Sequence, residues 1–166
     1  MNIEVLLTGS FGVGKSSIFN RFIHDEFSNK YYGTMGVRVN EKEIKLKNTT
    51  VTIKLWDIAG EISQNKVPKT YFNKKAVIIY VIDISRPFTF KNIVEDIKYL
   101  NENAPQCLIK IIGNKKDLLT DEQLVELKEK QLPVALDWFA SAKSGENIIA
   151  LFDECAEEIA HNSISS

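Results

Sequence analysis

The stretch GSFGVGKSS, residues 9–17, follows the apolar segment IEVLL and precedes a segment whose apolar residues recur at helical spacing. It fits the pattern G-x-x-x-x-G-K-[ST], whose glycines let the backbone turn tightly so that successive N–H groups can bind an anion. The dipole of the following helix favours negative charge at the same place. The stretch therefore predicts a phosphate-binding loop, in which Lys15 reaches the outer phosphates and the Ser16 hydroxyl binds Mg²⁺.

The same alternation of apolar runs and helical periodicity continues along the chain. Strands are predicted at residues 3–8, 37–46, 51–58, 77–82, 108–112 and 134–139. Helices are predicted at residues 16–24, 89–100, 118–130 and 148–160, the third of them opening with a capping-box pattern. Apolar strands that alternate with helices predict a three-layer α/β fold. Its six-stranded sheet is mostly parallel, has one antiparallel edge strand and carries helices on both faces.

The composition is that of one globular domain covering residues 1–166, with 44% hydrophobic and 26% charged residues and a net charge of −1. This charge balance argues against a nucleic-acid partner. The longest apolar run, residues 76–82, is too short to cross a bilayer, so we expect no transmembrane segment. The start of the chain has no basic region or cleavage site, which predicts no signal peptide.

Two further features bear on location and redox state. The tail HNSISS contains no cysteine that could be prenylated. Cys107 and Cys155 both lie in apolar patterns and are predicted to be reduced core residues. We therefore expect a cytoplasmic monomer, with any attachment to membranes made through partner proteins.

A second motif, Asp57-Ile58-Ala59-Gly60, lies at the end of a predicted strand. Ligands of such sheets bind beyond the carboxyl ends of the strands, where the phosphate loop also lies. A carboxylate at Asp57 can hold Mg²⁺ directly or through water, and the N–H of Gly60 can donate to the γ phosphate. By itself this motif is a common turn. Its place beside the phosphate loop makes it a predicted metal and phosphate site.

Two motifs at later strand ends predict the base. In Asn114-Lys115-Lys116-Asp117, the carboxylate of Asp117 can accept from N1–H and N2–H₂ of guanine, a pair of donors that adenine lacks. The stem of Lys115 can lie along one face of the base, and Asn114 can tie this segment to the phosphate loop. In the later Ser141-Ala142-Lys143, the N–H of Ala142 can donate to guanine O6. Together these motifs predict a guanine nucleotide.

Taken in order, GSFGVGKS, Thr34, DIAG, NKKD and SAK resemble the small GTPases of the Ras superfamily, over nearly the whole chain. Residues 32–37 and 55–57 are most similar to the Rab branch. The resemblance implies a molecular switch in signalling or trafficking that binds GTP or GDP with Mg²⁺ and hydrolyses GTP. It also implies that Thr34 closes onto Mg²⁺ and the γ phosphate, that Phe27 packs against the guanine and that Tyr31 covers the phosphates.

The predicted site residues fall into three sets. Catalysis is assigned to Lys15, Thr34, Gly60 and Glu61. Metal binding is assigned to Ser16, Thr34 and Asp57. Nucleotide contacts are expected from Gly12, Val13, Gly14, Lys15, Ser16, Ser17, Phe27, Tyr31, Thr34, Gly60, Asn114, Lys115, Asp117, Ser141, Ala142 and Lys143. By the same resemblance, effectors, an exchange factor and an unusual GTPase-activating protein are expected to bind the switch regions, residues 27–39 and 57–72.

Two departures from the family surround the γ phosphate. Glu61 stands where the family usually has glutamine, and an ionised glutamate can accept from the attacking water but cannot donate to the phosphoryl oxygens. Phe11 stands where most relatives have a small residue, and its ring would crowd the water and any arginine inserted by an activating protein. We therefore predict slow hydrolysis. The alternative is that Phe11 packs on the second switch while Glu61 points into solvent.

Rival functions stay open. One is a GTP-bound interaction module or scaffold with negligible turnover, which a turnover measurement separates from the switch. Another is a P-loop kinase, which would need arginines in a lid, whereas Arg21, Arg38 and Arg86 lie outside any lid-like segment. The short tail is a third departure from the family. It leaves a truncated chain, an unanchored protein or docking through partners as alternatives.

Overall fold

The structure, a computed structural model, describes residues 1–28, 36–47, 49–60, 64–130 and 132–164. Within these residues, six strands form one sheet. They are β1 (Asn2–Thr8), β2 (Val37–Lys45), β3 (Thr50–Ile58), β4 (Val77–Asp83), β5 (Leu108–Asn114) and β6 (Trp138–Phe139). The strand order is β2-β3-β1-β4-β5-β6, and only the β2–β3 pair is antiparallel. The predicted α/β architecture is therefore confirmed, with the hairpin at one edge.

Four α-helices in the described part of the chain cover the sheet. They are α1 (Lys15–His24), α2 (Ile93–Asn103), α3 (Asp121–Glu129) and α4 (Ile148–Ile164). The predicted capping box begins α3, where Thr120 Oγ1 accepts from the N–H of Gln123 and Gln123 Oε1 accepts from the N–H of Thr120. In contrast, α1 follows Gly14, which has a φ of 100° and no side chain to cap the helix. No side chain therefore caps the first turn of α1, which is a position where helix N–H groups can bind an anion.

The two faces of the sheet bury two separate cores. Residues of α1 and α4 pack on one face, where the rings of Phe22 and Phe152 stack with centroids 3.8 Å apart. The core on the other face contains Tyr80, Phe72 and Leu100, which brings α2 against the sheet. All seven residues of β4 are buried, as expected for a central parallel strand.

Three elements begin at least three residues later than predicted. The helix predicted at residues 89–100 begins at Ile93, because Pro87–Phe90 forms a 3₁₀ turn instead. The helix predicted at 118–130 begins at Asp121, after another 3₁₀ turn. The strand predicted at 134–139 is reduced to β6, because the carboxylate of Asp137 accepts the N–H of Ile111 at 2.6 Å. A side chain there replaces the backbone acceptor that would extend the ladder.

The edges of the sheet have different characters. At one edge, β2 presents exposed or half-buried charges of alternating sign, Glu41, Lys42 and Glu43. At the other edge, β6 has two residues.

No helix in the described part of the chain combines the length and the apolar character needed to cross a bilayer.

Candidate nucleotide-binding site

A cleft of about 620 Å³ lies at the carboxyl ends of the strands. The phosphate loop, the end of β3 and the segments that follow β5 and β6 converge on it. The predicted site residues that line the cleft are Gly12, Gly14, Lys15, Ser16, Ser17, Phe27, Gly60, Asn114, Lys115, Asp117, Ala142 and Lys143. The fold thus brings together motifs that are more than 100 residues apart in sequence.

Lys15 is held inside the phosphate loop. Its side chain is buried, and Nζ donates to the carbonyl oxygens of Gly9 at 2.8 Å and Ser10 at 3.0 Å. Left-handed backbone at Gly12 and Gly14, with φ of 75° and 100°, wraps the loop around this ammonium group. The arrangement places a fixed positive charge on the wall of the cleft, where it can neutralise phosphate oxygens.

Asp57 and Ser16 meet at the end of β3. The Ser16 hydroxyl donates to Asp57 Oδ2 at 2.7 Å, and the Asp57 side chain has no solvent exposure. The other carboxylate oxygen, Oδ1, is buried and has no hydrogen-bond partner among the described residues. A buried anionic oxygen without a donor favours a cation beside it, and carboxylate and hydroxyl oxygens are ligands that Mg²⁺ prefers. Ser16 and Asp57 therefore fit a magnesium site.

Arg38, which the sequence analysis did not assign to the site, also binds Asp57. Its Nη2 and Nε atoms lie 2.8 and 3.2 Å from Asp57 Oδ2. Its guanidinium stands 4.8 Å from the ring centroid of Phe19, and Nη1 is 3.4 Å from Asn20 Oδ1. One carboxylate oxygen thus accepts from both the Ser16 hydroxyl and a guanidinium group.

Asn114 joins the segment after β5 to the phosphate loop. Its Nδ2 donates to the carbonyl of Val13 at 2.9 Å, and its Oδ1 accepts the N–H of Ala142 at 3.1 Å. Val13, a predicted nucleotide contact, has its side chain in the core and does not line the cleft. The expected contact from the Ala142 N–H to guanine O6 stays a prediction; in the structure this N–H donates to Asn114.

Asp117 is oriented by a buried serine. The hydroxyl of Ser141 donates to Asp117 Oδ1 at 2.5 Å, while the Asp117 side chain itself is exposed to the cleft. Ser141 does not line the cleft; it is buried behind Asp117. A carboxylate fixed in this way presents its acceptor oxygens in one direction, which suits a ligand with two neighbouring N–H donors.

A charged cluster beneath the phosphate loop was also missed from the sequence. Asp83 Oδ2 accepts from Lys115 Nζ at 2.7 Å and from Arg86 Nε at 2.6 Å. Both cations also donate to the carbonyl of Gly12, Lys115 at 2.9 Å and Arg86 at 2.6 Å. Burial alone would raise the pKa of Asp83, but hydrogen bonds from Lys115, Ser85 and Arg86 lower it below its usual value. The sequence feature that could have indicated this cluster is the carboxylate at the end of the apolar strand VIIYVID.

A buried polar network anchors the chain after the second motif. The backbone N–H of Gln64 donates to Asp96 Oδ1 at 2.9 Å, and the hydroxyl of Tyr80 donates to Asp96 Oδ2 at 2.6 Å. The side-chain oxygen of Gln64 accepts from Thr8. Burial, and then the Asp96 carboxylate, raise the pKa of Tyr80. Because Thr8 directly precedes the phosphate loop, this network links the loop to β4 and α2.

Some predicted residues cannot be placed. Tyr31, Thr34 and Glu61 lie outside the described residues, as do parts of the switch regions 27–39 and 57–72. Phe11 is described: it lines the cleft, and the residue is 61% exposed.

Comparison with known proteins shows the family of this chain. The model of the Ras family matches residues 4–161. The chain is 34% identical to the Ras-related protein RabC of Dictyostelium discoideum, over 94% of this chain and 83% of that protein. It is 32% identical to Ras-related protein Rab-11C of the same organism, over 95% and 72%. It is 31% identical to Ras-related protein rab-11.1 of Caenorhabditis elegans, over 98% and 79%. The chain therefore belongs to the Ras family, as a Rab-like small GTPase of the Ras superfamily.

Proposed function

We propose that the protein is a Mg²⁺-dependent switch that binds GTP and GDP and hydrolyses GTP slowly. The observation that carries this proposal is the contact made by Asn114, which bridges Val13 of the phosphate loop and Ala142 of the last motif. A single side chain thereby supports both the phosphate-binding and the base-binding parts of one cleft. This arrangement suits a ligand that has a phosphate chain at one end and a purine at the other.

In this proposal the phosphate end is formed by Lys15 and the N-terminus of α1. Lys15 neutralises phosphate oxygens, and the uncapped N–H groups of α1 donate to them. Ser16 and Asp57, together with Thr34, hold Mg²⁺, which when bound neutralises charge on the outer phosphates. Gly60 reaches the γ phosphate through its backbone N–H.

The base end is formed by the segments after β5 and β6. Asp117, oriented by Ser141, accepts from N1–H and N2–H₂ of guanine. Phe27 and the stem of Lys115 flank the ring, and Tyr31 covers the phosphates. Replacing Asp117 with asparagine turns one of the two acceptor oxygens into an NH₂ donor, which would face a donor of guanine, so GDP binding is expected to weaken by at least about a hundredfold.

Binding can be measured by titrating the purified, nucleotide-stripped protein with fluorescent GDP, GTP and ATP. We expect GDP and GTP to bind and ATP to bind far more weakly. Asp117→Asn should lose GDP binding, whereas Asp153→Asn, a matched change on α4 away from the cleft, should retain it. Equal affinity for ATP and GTP would contradict the guanine assignment.

Slow hydrolysis is the second part of the proposal. Phe11 lines the cleft, and its bulk would crowd an attacking water or an inserted arginine. An ionised Glu61 would add negative charge beside the already negative γ phosphate. Single-turnover hydrolysis of bound GTP tests both residues. Phe11→Gly and Glu61→Gln should each speed the reaction, by about tenfold or more if positioning limits the rate. Unchanged rates in both variants would contradict this account.

A second candidate is a GTP-bound interaction module with negligible turnover. The specific observation that favours it is the exposed Phe11 ring at the mouth of the cleft. The two candidates separate on the nucleotide found in the purified protein after hours with Mg²⁺, because a switch accumulates GDP whereas a module without turnover retains GTP.

The Rab relatives extend the proposal to a role. Their names mark them as Ras-related proteins of the Rab branch. We propose that this chain likewise regulates trafficking or signalling, as a cytoplasmic monomer that reaches membranes through partner proteins. Effectors, an exchange factor and a GTPase-activating protein would bind the switch regions 27–39 and 57–72.

A further inference from the structure

The strand register places Arg38 directly opposite Asp57. In the antiparallel β2–β3 pair, these two residues are Cα partners, so both side chains project from the same face of the sheet. That face is covered by α1, and the guanidinium of Arg38 lies over the ring of Phe19. The register of the hairpin and the position of α1 therefore place Arg38 where its guanidinium can reach Asp57.

The Arg38 guanidinium meets the same carboxylate that would serve Mg²⁺. Asp57 is fully buried, and Arg38 donates twice to its Oδ2 atom, at 2.8 and 3.2 Å. Among the described residues, Arg38 is the only cation with an ion pair to Asp57. Burying the Asp57 carboxylate without a cation would cost free energy, and Arg38 offsets that cost. Any metal ion that binds Asp57 must therefore displace or outcompete the Arg38 guanidinium.

The guanidinium of Arg38 can also move away from Asp57 and remain hydrated. Its side chain is 42% exposed at the rim of the cleft, in contrast to Asp57. The guanidinium has a second contact at 3.4 Å, with Asn20, which also lines the cleft. A partly exposed guanidinium can swing from Asp57 toward water, giving up its place over the Phe19 ring.

We propose that Arg38 is a built-in counter-cation that competes with Mg²⁺ for Asp57. It weakens metal binding in the nucleotide complex, and it keeps Asp57 neutralised when metal is scarce, so nucleotide release depends less on Mg²⁺. This inference rests on the proposed function, since it concerns the metal of a guanine-nucleotide site. It assigns to Arg38 a positioning role toward Asp57 and no contact with the reacting atoms.

The test is the release rate of fluorescent GDP measured over a series of Mg²⁺ concentrations and in excess chelator. Arg38→Gln removes the charge, and Arg38→Met removes it while leaving an unbranched stem to cover Phe19. In both variants we expect the Mg²⁺ concentration that gives half-maximal slowing of release to fall by about tenfold, the size expected for losing a charge-assisted competitor. Release in chelator should become faster, because Asp57 then faces the phosphates without a counter-charge.

The matched control is Lys54→Gln, which removes one cation from the neighbouring strand, where Lys54 pairs with the exposed Glu41. It should leave the Mg²⁺ midpoint and the release rate unchanged. A midpoint in Arg38→Gln or Arg38→Met equal to that of the wild type would overturn the inference, and either variant suffices if the other does not fold. A wild-type protein that binds no guanine nucleotide would instead overturn the proposed function, and this inference with it.

Discussion

The backbone of Gly60 lies against the ammonium group of Lys15. A β-carbon at position 60 would stand 2.7 Å from Lys15 Nζ and 2.7 Å from the Cα of Phe11, distances that side-chain carbons do not reach in proteins. Lys15 cannot retreat freely, because its Nζ is bound to the carbonyls of Gly9 and Ser10. The second motif is thus packed directly onto the phosphate loop.

Gly60→Ala should therefore displace Lys15 or the loop. We expect the free energy of unfolding to fall by about 1–3 kcal/mol, as for other overpacked sites, and GTP affinity to fall with it. Urea unfolding and titration with GTP measure the two effects. Gly36→Ala is the control. A β-carbon at position 36 meets nothing within 4 Å, so the only cost there is the φ of 76°, which strains an alanine. Wild-type GTP affinity in Gly60→Ala would contradict this packing.

Asn114→Ala should destabilise the fold as well as the site. The change leaves the carbonyl of Val13 and the N–H of Ala142 without their partner. Since each buried unpaired polar group costs about 1–3 kcal/mol, we expect a loss of about 2 kcal/mol or more in urea unfolding without nucleotide. Asn103→Ala, which removes one partly exposed bond to the Tyr99 carbonyl, should cost about 0.5 kcal/mol or less. Equal losses in the two variants would show that Asn114 is not a structural link.

Asp83 should make stability depend on acid pH. Because its pKa is lowered in the folded protein, its contribution is present above the unfolded-state value of about 4 and is lost as pH falls through the lower folded value. Asp83→Asn should therefore lower stability at neutral pH, where Lys115 and Arg86 lose their counter-charge, and should flatten the decline below about pH 4.

Asp153→Asn is the control of opposite sign. Burial, and then the nearby Glu157, raise the pKa of Asp153, so its ionised form opposes folding and its loss should not lower stability at neutral pH. Thermal unfolding across a pH series measures both variants. An unchanged acid profile in Asp83→Asn would argue against the charged cluster beneath the phosphate loop.

The thiols should differ in reactivity. Cys155 of α4 is fully buried, and burial is the main cause that raises its pKa to about 12, whereas Cys107 is partly exposed. Since the thiolate is the reactive form, iodoacetamide should modify Cys107 before Cys155 in the folded protein. Peptide mass spectrometry with and without urea locates the modified residue. Equal rates in the folded state would mean that α4 does not pack as described.

The fold was predictable because its signals are local. Apolar strands, helical periodicity and the capping box at Thr120 each lie within a few residues. The bounds of β6 were wrong because they depend on a distant partner: the side chain of Asp137 takes an N–H of β5. Likewise, Phe90 lies at helical spacing from Ile93 and Val94, but residues 87–90 form a 3₁₀ turn.

Site residues that belong to short sequence motifs were predictable, whereas those brought to the site by strand pairing were not. The phosphate loop and Asn114 follow from short patterns, whereas Arg38 enters the site because it lies opposite Asp57 across the hairpin. Counting outward from the Lys45–Thr50 pair beside the turn would have found that relationship. The role of Asp83 was not predictable, because it depends on ion pairs with Lys115 and Arg86 that form only in the folded structure.

The two edges of the sheet also determine how this protein can aggregate. A second copy stacked in parallel on β2 would set Glu41 beside Glu41 and Lys42 beside Lys42, and β6 is too short to serve as a template. Fibril growth from the folded state is thereby disfavoured at both edges. The segment most suited to stacked β-structure, VIIYVI within β4, is buried in the native sheet. Aggregation during storage or heating should therefore follow the rate of unfolding, and any ligand that stabilises the fold should slow it.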